Sequence, residues 1–155
     1  MKYTAAVVGC GRAGFSYDLD PKRKEIYSHL GAYHQSDSIS DIVAVDTSEA
    51  VLNKVKSFFP HVKLYSSVEA MFREEKIDIL SISTGTDQRE ELVDLAAKNS
   101  VKAIFCEKPL SENFEAGERI LKTCEAHNIS LAINHFRRWD KLHSDIAKFL
   151  TEGKL

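Results

Sequence analysis

Thr4-Ala5-Ala6-Val7-Val8-Gly9-Cys10-Gly11-Arg12-Ala13-Gly14 decides how this chain is read. The apolar run Ala5–Val8 ends in three glycines set as G-x-G-x-x-G. The run reads as a buried strand, and the glycines answer the demands of a strand–turn–helix crossing. Gly9 permits the tight turn, Gly11 lets backbone approach a pyrophosphate, and Gly14 lets a helix lie close to the strand. A helix start leaves N–H groups without intrahelical partners, here those of Arg12 and Ala13, facing phosphate charge. Alone the pattern is common; behind a strand and ahead of a helix it predicts a dinucleotide site. The structural alternative is a turn that only brings helix and strand together. The Arg12 side chain reads as solvated.

Further strands are predicted at Asp41–Val45, Val62–Tyr65, Ile77–Ile82, Lys102–Cys106 and Ser130–Ile133, after a first at Thr4–Val8. Several are almost continuously apolar, as strands covered on both faces are. Helical periodicity fills the gaps. Ser66 to Glu69 reads as a capping box, Asp87 as an acidic start, and Ser111 as the cap of a helix carrying Phe114, Ile120, Leu121 and Cys124. Trp139, Leu142, Ile146, Phe149 and Leu150 continue a helical stripe to the end. Strand–helix alternation through about six strands predicts an α/β fold, a doubly wound parallel sheet of the Rossmann kind. Tyr17–Tyr27 interrupts it as an inserted loop, with a helix following near Ser28–Gln35. Its basic run Lys22-Arg23-Lys24 reads as a solvated loop.

A dinucleotide site also requires an acid at the end of the second strand, where a carboxylate accepts from ribose hydroxyls. Asp46 fits. It lies 32 residues beyond Gly14, against a usual interval of about 20, and the inserted loop accounts for the excess. Its charge would repel a 2′-phosphate, and no arginine follows in Thr47-Ser48-Glu49, so NAD(H) is favoured over NADP(H). Capping the next helix is the structural alternative, a task Thr47 could also perform.

The 155 residues and 17.4 kDa suit one domain, and 43% hydrophobic with 28% charged residues excludes a disordered chain. A net charge of −2 argues against a nucleic-acid partner. No apolar run reaches the roughly 20 residues that span a bilayer, and no signal peptide is expected. Cys10, Cys106 and Cys124 are widely spaced, which suits a reducing cytoplasm and predicts neither disulfides nor a metal site. No tyrosine has a lysine four residues on, and no P-loop is present.

A second cluster, Glu107-Lys108-Pro109, ends the fifth strand, on the side where such sheets bind ligands. With Val8–Gly14, Ala44-Val45-Asp46, Ile82-Ser83-Thr84 and Asn134-His135-Phe136-Arg137-Arg138-Trp139, it resembles the Gfo/Idh/MocA oxidoreductases over nearly the whole chain. The resemblance implies an NAD(P)-binding domain with Lys108 near the nicotinamide and the substrate hydroxyl, orienting substrate and assisting proton transfer. Glu107 would set the charge and position of Lys108. Ser83, Thr84 and Gly85 would border the coenzyme, and Arg138 and Trp139 would lie near the crevice mouth. For Trp139 a core anchor is the favoured role. Of the histidines, most read as exposed and His135 alone is placed near the crevice.

Thr84-Gly85-Thr86-Asp87-Gln88-Arg89 lacks the Pro and His that many members carry there. Residues 1–150 are expected to form the dinucleotide-binding domain, with 151–155 beginning a link to a second α/β domain absent from this chain. The function expected is NAD-dependent oxidation of a hydroxyl on a sugar, cyclitol or similar polyol, with little turnover by this chain alone. The alternative is a non-catalytic module that binds or senses NAD(H). A missing domain would expose apolar surface around Phe136, Trp139 and the last helix, so self-association into a homo-oligomer is expected.

Overall fold

In a computed structural model describing residues 2–154, strands β1 (Tyr3–Val8), β2 (Ile39–Val45), β3 (Lys63–Tyr65), β4 (Ile79–Ile82), β5 (Ala103–Cys106) and β6 (Ser130–Ile133) form one sheet. The order is β3-β2-β1-β4-β5-β6, and every neighbouring pair is parallel. The chain winds outward from β1 through β2 and β3, then returns to place β4 on its other side. That reversal opens a crevice beyond the carboxyl ends of β1 and β4.

Register makes this edge a row. Val8 pairs with Val45 and Ile82, Val45 with Tyr65, Ile82 with Cys106, and Cys106 with Ile133. The residues that follow, Gly9, Asp46, Ser66, Ser83, Glu107 and Asn134, therefore share one rim. The ladder runs one step into it: Ser83 N–H donates to Val8 O at 2.8 Å, Glu107 N–H to Ile82 O at 2.9 Å, and Asn134 N–H to Cys106 O at 2.8 Å.

Helices α1 (His29–Gln35), α2 (Glu49–Phe58), α3 (Val68–Glu74), α4 (Arg89–Lys98) and α5 (Phe114–Ala126) connect the strands. Alternation within the strands sorts the core into two layers. Ala6, Val8, Val43 and Val45 join Leu80, Val93 and Ile120 on one face; Val7 and Ala44 join Phe15, Leu30 and Val55 on the other. All these side chains are buried, where each Val, Leu, Ile or Phe contributes roughly 1.5–3 kcal/mol.

Three helix starts differ from the sequence reading. Ser67, not Ser66, caps α3 by accepting from Ala70 N–H at 3.2 Å. Asn113 caps α5 by accepting from Ala116 N–H at 2.9 Å, while the Ser111 hydroxyl donates to Asn113 O. Thr86–Gln88 forms a short 3₁₀ turn ahead of α4, whose start has no side-chain cap. On α5 the buried side is Ile120 and Cys124, and Phe114 and Leu121 are exposed. At about 100° per residue, the latter pair lies roughly a quarter-turn away from the former.

The final helix, α6 (Lys141–Thr151), contributes no buried residue. Its main packing is with the turn Phe136–Arg138. Trp139 is therefore no core anchor: it is 81% exposed, continuous with exposed Phe136, Leu142, Ile146, Phe149 and Leu150.

Candidate functional site

The glycine turn folds as its sequence predicts, with one difference. Gly9 has φ +85°, and a Cβ there would lie 2.9 Å from Ser83 C. A Cβ on Gly14 would run into Gly9 O. After β1 the chain makes a tight turn in which Phe15 and Ser16 N–H donate to Gly11 O, then a 3₁₀ turn at Ser16–Leu19, not a full helix. The inserted loop follows, and α1 resumes the course by returning His29 N–H to Ala13 O and Leu30 N–H to Gly14 O. Asp18 closes the insertion, accepting from Tyr27 N–H at 2.7 Å, from Ser28 N–H at 3.0 Å and from the Ser28 hydroxyl. The Arg23 guanidinium stacks between Tyr17 and Tyr27, 4.6 and 4.8 Å from their ring centroids.

A cleft of about 540 Å³ opens at the rim, lined among others by Gly9, Gly11, Asp46, Ser66, Ser67, Ser83, Thr84 and Gly85. Among the described residues, the N–H groups of Gly11, Arg12 and Ala13 donate to nothing. A Cβ on Gly11 would meet no atom within 4 Å. Asp46 is half-buried; its Oδ2 accepts from Cys10 N–H at 2.8 Å and its Oδ1 from Ser48 N–H at 2.9 Å. A carboxylate offers about four lone-pair sites, so two remain for a ligand. Ser48, not Asp46 or Thr47, caps α2. Among the described residues the buried Ser83 hydroxyl has no partner. Free amides, spare carboxylate lone pairs and an orphaned hydroxyl around one cleft fit a dinucleotide: diphosphate, ribose and a further polar edge. Cys10 adds no reactive thiol, since burial and then the Asp46 charge push it up to about 12. The side chain of Arg12 is exposed.

Glu107 and Lys108 occupy the other end of the rim. Lys108 is exposed and, with Asn134, His135, Phe136 and Arg137, lines a separate hollow of about 350 Å³. Its peptide to Pro109 is cis. The Glu107 carboxylate accepts from Asn134 Nδ2 at 2.6 Å and meets His29 Nε2 at 3.1 Å. Burial raises this carboxyl, but the hydrogen bonds from Asn134 and His29 outweigh it and hold Glu107 below the ordinary glutamate range.

Two residues here escape a sequence reading. His29 is buried, where most of the histidines read as exposed, with Nδ1 2.9 Å from Ser81 Oγ. Arg89 is 4% exposed and donates to Thr84 O at 2.8 Å and to Glu107 O. It opens α4, at the end of the stretch Thr84–Arg89 that lacks the Pro and His of many members, and it ties together the segments following β4 and β5.

A family model described as an oxidoreductase family with an NAD-binding Rossmann fold, Gfo/Idh/MocA, matches residues 3–135. The chain belongs to this family. It is 25% identical over 154 residues to a D-apiose dehydrogenase of Paraburkholderia graminis, covering 99% of this chain and 38% of that protein. It is 27% identical over 154 residues to the myo-inositol dehydrogenase Hyg17 of Streptomyces leeuwenhoekii, covering 98% and 42%. The crystal structure of scyllo-inositol dehydrogenase from Lactobacillus casei with NAD(H) and scyllo-inositol superposes with a TM-score of 0.81 at 18% identity, covering 99% of this chain and 42% of that one. That likeness shows the shared fold. The chain thus spans about two fifths of the Gfo/Idh/MocA relatives it matches. Among the described residues no helix is long and apolar enough to cross a membrane.

Proposed function

We propose that this chain is the NAD(H)-binding domain of a dehydrogenase that oxidises a hydroxyl of a sugar, cyclitol or similar polyol. The observation that carries the reading is the rim, where the free amides of the glycine turn, Asp46 and the Glu107–Lys108 turn follow adjacent strand ends. The family membership and the polyol dehydrogenases among the relatives support it.

In this reading the N–H groups of Gly11, Arg12 and Ala13 hold the diphosphate. Asp46 accepts from the adenosine ribose and disfavours a 2′-phosphate, so the coenzyme is NAD(H) before NADP(H). Ser83, Thr84 and Gly85 border it. Bound there, NAD⁺ supplies the hydride acceptor. Lys108 orients the substrate hydroxyl from the second hollow and handles its proton, with Glu107 fixing the backbone beneath it. Residues 1–150 make up this domain and 151–155 lead toward a second domain.

The same reading places the protein in the cytoplasm, a reducing setting suited to Cys10, Cys106 and Cys124, all buried and unpaired. It also gives the apolar face of α6 a role in self-association at high concentration. The test is spectrophotometric. A protein that extends this chain into a second α/β domain reduces NAD⁺ with myo-inositol, scyllo-inositol or D-apiose, and the Lys108→Ala variant loses that activity. Equal turnover by wild type and variant overturns the role of Lys108, and binding of NADH without turnover on any polyol favours the module.

A further inference from the structure

We propose that His29 is a positioning residue for the Glu107–Lys108 turn, its ring aligned by Ser81 and Tyr33 so that Nε2–H donates to the Glu107 carboxylate. The inference rests on the reading of Lys108 as the group at the reactive end of the coenzyme site.

The donor is fixed at the Glu107 end of this chain of contacts. An ionised carboxylate only accepts, so the nitrogen facing Glu107 Oε1 at 3.1 Å carries the hydrogen. In neutral imidazole the other nitrogen then accepts, and the partner of Nδ1 is the Ser81 hydroxyl at 2.9 Å. Ser81 Oγ remains free to accept from Tyr33 O–H at 2.7 Å. With a single ring hydrogen the donors run one way, from Tyr33 through Ser81 and His29 to Glu107. The other neutral tautomer would point a nitrogen lone pair at the carboxylate.

Burial makes this arrangement costly unless it serves a purpose. Ser81 is fully buried and His29 nearly so, and the imidazole lies 5.0 Å from the Phe105 ring. An apolar side chain would fill that space without needing partners. What the polar chain accomplishes is visible at its end. Glu107 is held at its amide by Ile82 O, at its carbonyl by Arg89, and at its carboxylate by Asn134 and His29. Lys108 therefore projects from a fixed backbone while its own side chain stays in solvent. The titratable or charged groups facing Glu107 are His29 from α1, Arg89 from α4, and its chain neighbours Cys106 and Lys108. The hydrogen bonds from Asn134 and His29 hold the carboxyl ionised against its burial.

Three measurements on the 155-residue chain test this. Long-range ¹⁵N NMR of the wild-type histidines should show His29 with hydrogen on Nε2 near neutral pH; an Nε2 that carries no hydrogen overturns the proposal without recourse to any variant. Titration of ¹³C-labelled glutamate should find Glu107 ionising about one pH unit higher in His29→Phe, with His29→Gln, which keeps a donor, close to wild type. An unchanged Glu107 titration in a folded His29→Phe protein also overturns it. Finally, NADH affinity should weaken about fivefold in His29→Phe, ~1 kcal/mol, and recover in His29→Gln. A wild-type chain that shows the tautomer and the titration yet binds no NADH contradicts the coenzyme reading and upholds the positioning of the turn.

Discussion

Asp46 Oδ2 accepts from the amide of Cys10 at 2.8 Å, so the carboxylate expected to grip a ribose also braces the glycine turn from the end of the neighbouring strand. One side chain thereby links the parts of the cleft that the proposed function assigns to diphosphate and to sugar. Asp46→Asn keeps an acceptor for Cys10 and tests the charge; Asp46→Ala removes both functions. NADH affinity in calorimetric titration should fall roughly ten- to hundredfold in Asp46→Ala, the scale of a lost charge-assisted hydrogen bond. Undiminished affinity would remove Asp46 from the site.

Arg89 should matter for stability first. Arg89→Met keeps much of the packed stem but leaves Thr84 O and Glu107 O without their donor. The expected loss is about 2–3 kcal/mol in urea unfolding. A midpoint equal to wild type would show that solvent replaces the guanidinium at no cost.

Acid should weaken the fold through identified carboxylates. Glu107 is held below its ordinary value of 4.5 because donors outweigh burial, and Asp78 below its ordinary 3.8, first by the Lys102 hydrogen bond and then by Thr4 N–H. Both bind protons less readily folded than unfolded. Their contribution is therefore full above the unfolded values and is lost as pH falls through the lower folded ones. Urea midpoints should drop below about pH 4.5, and Glu107→Gln should flatten part of that fall. An acid limb identical in the variant would contradict the role given to Glu107.

Much of this was legible in the sequence, for reasons that particular residues make plain. Ser130–Ile133 is found where the apolar run places it, and the other strands differ only at their N-terminal ends. At those ends side-chain burial and strand pairing part company: Val62 and Ile77 are buried yet lie ahead of the paired residues of β3 and β4. The caps were harder, because Ser66 and Ser67 are adjacent candidates and only the hydrogen bond from Ala70 N–H to the Ser67 hydroxyl decides between them. His29 was illegible. Its partners Ser81 and Glu107 lie 52 and 78 residues away in the chain, and only the sheet order brings them together. Arg89 was hidden likewise, since an arginine in a polar loop reads as solvated until its acceptors are known.

The α6 face gives a prediction about assembly. Sedimentation should show a dimer or larger species as concentration rises from micromolar to millimolar, and Leu142→Glu should shift the equilibrium toward monomer. A monomer across the whole range would leave those exposed side chains without the role in self-association given to them.

Gly11 offers the sharpest measurement. Its φ lies outside the left-handed region and an added Cβ would meet no protein atom within 4 Å, so Gly11→Ala should unfold at the same urea concentration as wild type. If a diphosphate lies against this backbone, the methyl group occupies ligand space. NADH titration should then give clear binding to the wild-type chain and a loss of about tenfold or more in the variant, ~1.4 kcal/mol. Equal affinity in the two proteins, or no NADH binding to either, would contradict a coenzyme diphosphate at the glycine turn.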